Sequence, residues 1–244
     1  GDVYKRQFQD KPVLDVLNAV FEDSPARRIR KTTADGVIGA HEPHRYCVQF
    51  QESDHDFLSR LLEAEGIYYW FDAHDEPGRL QLADTSFVAH ERLPATPVLH
   101  YTGVAGEARF NEITRWISTQ RLDTGKHAAR DSDFKAIRKN IGATIDTADE
   151  HELADFEDFE YPGDYFDVEK AEATARIRGE ELIARRDRHW AVTSWPDVGV
   201  GRSFVLEGDA PELARGEHLI GACSFVVTHP CLLYTSPSPR DRTR

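Results

Sequence analysis

The sequence predicts an α+β protein with mostly antiparallel, partly barrel-like sheets. Three observations lead there. Short segments alternate at period two, as in Tyr46–Phe50 and Ile113–Ser118, which marks half-buried strands. Apolar residues recur at helical spacing in a few places, following Pro12, Ser53 and Asp167, so helices are a minority. Turn chemistry at Ala73–Gly78, Asp123–Gly125 and Tyr161–Gly163 cuts the strands into hairpin-sized pieces.

Taken in order, Pro12 suits a helix first turn, where a missing N–H costs nothing. Val13, Leu14, Leu17, Val20 and Phe21 then form one apolar stripe. Residues 24–44 read as a loop with one short strand. Tyr46, Val48 and Phe50 share one strand face, and Cys47, Gln49 and Gln51 the other. Ser53 offers an N-cap oxygen with Asp56 three residues on, a carboxylate form of the capping box. Phe57, Leu58, Leu61 and Leu62 face inward from the next helix, with Arg60, Glu63 and Glu65 on its wet side. Gly66 supplies the left-handed residue that ends it. Ile67–Phe71 is a second strand, predicted as core because its aromatic run is continuous. Leu80 and Leu82 return as its hairpin partner.

A linker follows through Pro94 and Pro97. The strand around Trp116 then turns at Asp123–Gly125, the glycine taking positive φ, and returns over His127–Phe134 as a hairpin. Residues 146–160 hold eight acids and no Lys or Arg, which predicts a solvated loop. Tyr161-Pro162-Gly163 reads as a type II turn. Asp167 caps a helix with Val168, Ala171, Ala175, Arg178 and Leu182 on one face, ending at Arg185-Arg186. His189–Trp195, Arg202–Leu206 and His218–Thr228 are three more strands.

Composition excludes several classes. A net charge of -13 argues against nucleic-acid or anionic-lipid binding through a basic face. No run of about eighteen apolar residues predicts a membrane-spanning helix. Three cysteines without a CxxC pair are too few for a disulfide framework. His41 and His44 flank Pro43, which forbids a helical zinc face. Glu63 and Glu65 diverge on a helix and cannot share a glycosidic bond. No serine sits in a G-x-S-x-G elbow, and Gly199-Val-Gly201 lacks the third glycine of a dinucleotide loop. The acidic run fits no EF-hand spacing. No catalytic, cofactor or metal residues are predicted.

One stretch carries a long, specific resemblance. Tyr46 to Phe50, with Val48 central, precedes Glu52-Ser53-Asp54, Phe57, Arg60-Leu61, Glu65-Gly66-Ile67, Tyr69 and Phe71. This resembles the VgrG spike family of bacterial type VI secretion, in the part related to the baseplate hub of contractile-tailed phages. Trp116, Gly125, Asp131, Asp133-Phe134 and the Pro162-Gly163 turn resemble later family phrases, so the likeness runs with gaps from Phe8 to about His229. It implies a hub-like fold, with a helix-bearing middle domain over 8–107 and a second β-barrel (tube) domain with one helix over 108–230. Residues 1–7 and 231–244 resemble translated sequencing adapters and are set aside as tails. The resemblance also implies a homotrimer that docks on the hexameric Hcp tube, meets baseplate proteins, and carries effector cargo. Assembly would be in the bacterial cytoplasm, followed by firing outward or into a target cell, with no enzymatic step. A phage or phage-like particle is the nearer alternative. A cell-envelope hydrolase is the remoter one, and would need an acid pair or metal ligands converging in space.

Overall fold

The computed structural model describes residues 6–25, 32–103, 111–132, 140–147, 154–163 and 168–227. Asp133, Phe134 and the Asp167 cap lie outside these residues.

The first unit contains β1 (Arg6–Phe8), α1 (Val13–Asp23), β2 (Thr32–Gly36), β3 (Cys47–Gln49), α2 (Asp54–Ala64), β4 (Tyr68–Phe71), β5 (Leu80–Ala83) and the short α3 (Ser86–Ala89). Pro12 is the extended N-cap of α1, whose buried stripe is Val13, Val16, Leu17 and Val20. These meet Phe57, Leu58, Leu61 and Leu62 of α2, with Ile67, Leu82 and Cys47, in one apolar core. Strand β3 pairs antiparallel with β1. A second sheet has the order β2-β5-β4, with β4–β5 the expected antiparallel hairpin and β2 parallel to β5.

The rest contains β6 (Val98–Tyr101), β7 (Glu112–Gln120), β8 (Lys126–Ser132), β9 (Asn140–Asp146), β10 (Glu157–Glu160), α4 (Val168–Arg186), β11 (Asp187–Thr193), β12 (Ser203–Gly208), a 3-10 turn (Glu212–Ala214) and β13 (Gly216–Leu219). Five strands form a sheet in the order β11-β7-β6-β12-β13, and three form another in the order β10-β8-β9. Antiparallel pairs carry the long registers, seven residues each for β7–β11 and β8–β9. The parallel pairings are short. The protein is α+β and mostly strand.

Helix α4 rides on the three-stranded sheet. Its buried positions are Ala171, Ala175 and Gly179, four apart, so a stripe of small residues brings the helix close. Ala129, Ile141 and Ala171 form the core between them. A Cβ on Gly179 would stand 2.8 Å from Ile145 Cγ2.

Several expectations are corrected. Strand β8 does not return against β7. It pairs with β9 and β10, because both edges of β7 are taken by β6 and β11. Gly125 is absent from the positive-φ glycines. Its missing Cβ instead makes room for the Ala154 backbone. The acidic run is not wholly loop, since its last residues form β10 beside β8. The linker after Asp84 holds α3 and β6, and β6 pairs with β7. The third C-terminal strand stops at Leu219, leaving Phe225, Val226 and Val227 exposed. The Tyr161–Pro162 peptide is cis.

Candidate assembly surface

The stretch from Tyr46 to Phe71 is held by polar ties around the α1–α2 core. Ser53 caps α2, its hydroxyl accepting from the Asp56 N–H at 3.1 Å and donating to Asp56 Oδ2 at 2.8 Å. Arg60 donates from Nε and Nη2 to Glu52 and, at 2.8 Å, to the Val48 carbonyl. That guanidinium holds the Glu52 carboxyl below the usual carboxylate range. Gln49 is fully buried and donates to Asp54 Oδ1 at 2.8 Å, while Arg6 bonds both of them. Burial opposes ionisation of Asp54, but the bonds from Gln49 and Arg6 outweigh it and depress its pKa.

Glu65, expected on the wet side, is the C-cap of α2 and is largely covered. His41 Nδ1 lies 3.0 Å from Glu65 Oε2 and its Nε2 3.2 Å from Asp84 Oδ2. His44 Nε2 stands 3.4 Å from Glu65 Oε1. The polar loop thus folds back on the helix end. Gly66 has φ +70°, and Ile177 of α4 packs 3.0 Å from where its Cβ would be. Phe57, Leu61 and Ile67 are core.

The aromatic residues behave differently from expectation. On β3 the buried face is Cys47 and Gln49, leaving Tyr46 and Phe50 exposed. Tyr69 and Phe71 are also exposed, so β4 is core only through its other face. On that face Tyr68 stacks on His90, and Trp70 packs against the same imidazole at a tilt. Tyr68 donates to the Thr85 carbonyl, and burial pushes its phenol up to about 12.

This aromatic face joins the first unit to the five-stranded sheet. Gly201 has φ +84°, and a Cβ there would fall on the Trp70 indole. Its carbonyl accepts from His90 Nδ1 at 2.9 Å. His74, at the β4–β5 turn, donates to the Asp197 carbonyl at 2.8 Å. Arg202 is buried and bonds both Asp75 and Glu91. Sequence reasoning missed this clasp, because its parts lie more than a hundred residues apart.

The five-stranded sheet curls. Strands β11 and β13 are opposite ends of its order, yet the His189 and His218 rings are 5.0 Å apart. Trp116 fills the concavity, 5.0 Å from His189 and 4.9 Å from His218. Burial lowers the His218 pKa. A register shift between Val192 and Thr193, which pair with Arg115 and Ile113, leaves Thr114 as an extra residue. That bulge puts Ile113 and Trp116 on one buried face, despite their odd spacing. The opposite, convex face carries Arg115, Ile117, Trp190 and Val192. The last three are exposed, and the Arg115 guanidinium lies 5.4 Å from the Trp190 ring.

Of the remaining predicted residues, Asp131 lies on β8 opposite Ile141, and Pro162 and Gly163 follow β10. Among the described residues no group of three His, Cys, Asp or Glu side chains could hold a metal ion, and no helix is long and apolar enough to cross a membrane.

A curled sheet with a helix-capped α/β unit clasped to its end is the architecture of phage-tail and secretion-spike hub proteins. The 43 kDa tail protein of prophage MuSo2 from Shewanella oneidensis superposes with a TM-score of 0.60 at 15% identity, over 88% of this chain and 61% of that one. The E. coli c3393 protein, a type VI secretion component described as similar to the T4 tail proteins gp27 and gp5, gives 0.54 at 14% identity, over 89% and 45%. More particularly, the chain belongs to the phage tail baseplate hub (GPD) family, whose profile matches residues 3–230. It is 29% identical over 223 residues to the type VI secretion system spike protein VgrG1b of Pseudomonas aeruginosa, covering 91% of this chain and 29% of VgrG1b. Against VgrG4b of the same organism it is 31% identical, over 86% and 25%. The chain therefore spans under a third of each of these two relatives.

Proposed function

We propose that this chain is the hub part of a VgrG-type spike in a contractile injection machine. Three copies would form a ring on the end of the Hcp tube, contact the baseplate, and travel outward with effector cargo to puncture a target cell. Its division into a middle domain (8–107) and a second tube domain (108–230) belongs to this reading. So does a life that starts in the bacterial cytoplasm and ends outside it.

The observation that carries the proposal is the curled sheet with an apolar convex face at Ile117, Trp190 and Val192. Exposed apolar patches of this kind mark contact with another protein. The role is mechanical, so the purified chain should hold no equivalent of zinc after dialysis and hydrolyse no envelope polymer. A phage-like particle is the second reading, favoured by the likeness to a prophage tail protein.

The test needs the whole reading frame. Light scattering should give a trimer that binds one end of an Hcp tube. A monomer, or an oligomer without affinity for Hcp, would sink the secretion-spike reading. Affinity for a phage tail tube instead would favour the second.

A further inference from the structure

A cavity of about 430 Å³ lies between α1 and the β2-β5-β4 sheet, within the size range of small-molecule sites. Among the described residues, Leu14 and Leu17 of α1 and Ala34 and Leu82 of the sheet give it apolar walls. Its polar lining is Asn18, Thr32 and Arg79. Thr32 pairs with Leu80, so its side chain and that of Leu82, two residues on from Leu80, share the sheet face turned to α1. Asn18 follows Leu14 by four and shares its side of the helix, at the exposed rim.

Two of these polar groups have hydrogen-bonding capacity to spare. Arg79 Nε and Thr32 Oγ1 are buried atoms with no hydrogen-bond partner among the described residues. An unpaired buried donor is costly, and more so when it is charged. Both are also held in place. Arg79 closes the β4–β5 turn, its N–H bonding the Glu76 carbonyl at 2.9 Å and its carbonyl accepting from the Asp72 N–H at 2.8 Å. Asp72 in turn accepts from the His74 and Glu76 N–H groups, each at 2.9 Å, which fixes the turn. The other end of the guanidinium is tied to Glu76 through Nη2. Thr32 is fixed by its place in β2. Donors set in advance beside an apolar wall lower the ordering cost of binding.

We propose that this cavity binds a small alkyl monocarboxylate. The carboxylate accepts from Arg79 Nε and the Thr32 hydroxyl, with the Asn18 amide at the mouth. The alkyl chain lies against Leu14, Leu17 and Leu82. A guanidinium N–H and a hydroxyl suit the two oxygens of a carboxylate, and the charge strengthens the bond. Glu76 already offsets the Arg79 charge, so the site has no surplus positive charge for a doubly charged phosphate. The cavity lies within the first unit, and the inference does not rest on the hub reading.

Hexanoate is the probe, with hexanol (a chain of the same length, uncharged) and inorganic phosphate as controls. In calorimetric titration of the full chain at constant ionic strength, hexanoate should bind saturably. Hexanol and phosphate should bind at least about tenfold more weakly. Methyl NMR should place the ligand through saturating shifts of Leu14, Leu17 and Leu82. Thr32→Val keeps a β-branched strand residue and removes only the hydroxyl. Arg79→Met keeps most of the stem and removes the charge, and circular dichroism checks that both fold. Each should weaken hexanoate by about tenfold and leave hexanol unchanged, which a merely loosened cavity would not do. Hexanoate binding no tighter than hexanol would mean an apolar cleft without a carboxylate site. No saturable binding would mean that water satisfies both donors. Either result, shifts at other methyl groups, or two variants that bind hexanoate like the parent would overturn the proposal.

Discussion

At the scale of single residues, the sharpest constraint is Gly66. It combines φ +70° with a Cβ position 3.0 Å from Ile177 Cγ1. A β-branched residue there meets backbone strain of about 1–3 kcal/mol, and it also pushes on α4. Gly66→Val should therefore melt several degrees below the parent. A melting point within a degree would show that the α2–β4 junction tolerates another conformation. Acid behaviour follows from the carboxyls. Arg60 depresses Glu52, and the bonds around Asp54 depress it below its usual value. A carboxyl depressed by folding contributes stability that is present above its unfolded pKa and lost as pH falls through the folded one. Stability should thus fall on acidification below the ordinary carboxylate range. Arg60→Ala should make that fall shallower, by about 0.2–1 kcal/mol, since the pair is at the surface. Denaturant titrations at neutral and acid pH would measure it, and an unchanged pH slope would refute the assignment.

At the scale of elements, helix α4 shows why small residues matter. Gly179→Ala gains about 1 kcal/mol of helix propensity. Against this stands a Cβ only 2.8 Å from Ile145 Cγ2, and overpacking a tight contact costs about 1–3 kcal/mol. The packing term should win, so Gly179→Ala should destabilise. In an Ile145→Ala background the clash is gone, and the same substitution should become neutral or stabilising. A double-mutant cycle in urea reads this directly, and additivity of the two changes would count against the close packing. The same region marks where sequence reading stopped. Ser53, Phe57, Leu61 and Gly66 declared α2 because cap, stripe and terminator are all local signals. Strand β9 went unread because Gly142, Ala143 and Thr144 weaken its alternation. The β7–β8 hairpin was misread because a turn between two strands says nothing about which edges other strands already occupy. Tyr69 and Phe71 were misplaced for a related reason: periodicity separates two faces but does not say which is covered. Both halves of the assembly surface, the Trp116 strand and His189–Trp195, were legible as strands, but their pairing was not, since about seventy residues separate them.

At the scale of the whole molecule, two large cores, besides the small one under α4, must act as one body. The first gathers α1, α2 and Leu82, and the second gathers Leu99, Ile113, Phe204 and Leu206 with no residue in common. Among the described residues the units meet where Ile177 of α4 packs on Gly66 and Arg178 lies 3.7 Å from Glu63, and at the clasp of Trp70, His74, His90 and Arg202 with the 197–202 loop. The clasp depends on Gly201, whose φ of +84° and missing Cβ let the Trp70 indole lie on the backbone. Gly201→Val should expel the indole and strain the loop, with little direct effect on the α1–α2 core. Calorimetry of the parent should show one cooperative transition. The variant should show two, an early one for the curled sheet and a later one near the parent's midpoint for the helical unit. Arg202→Ala should act in the same direction but less, because Asp75 and Glu91 remain well exposed and keep their solvation. One transition merely shifted downward in both variants would mean that the cores are coupled elsewhere, with α4 the remaining bridge.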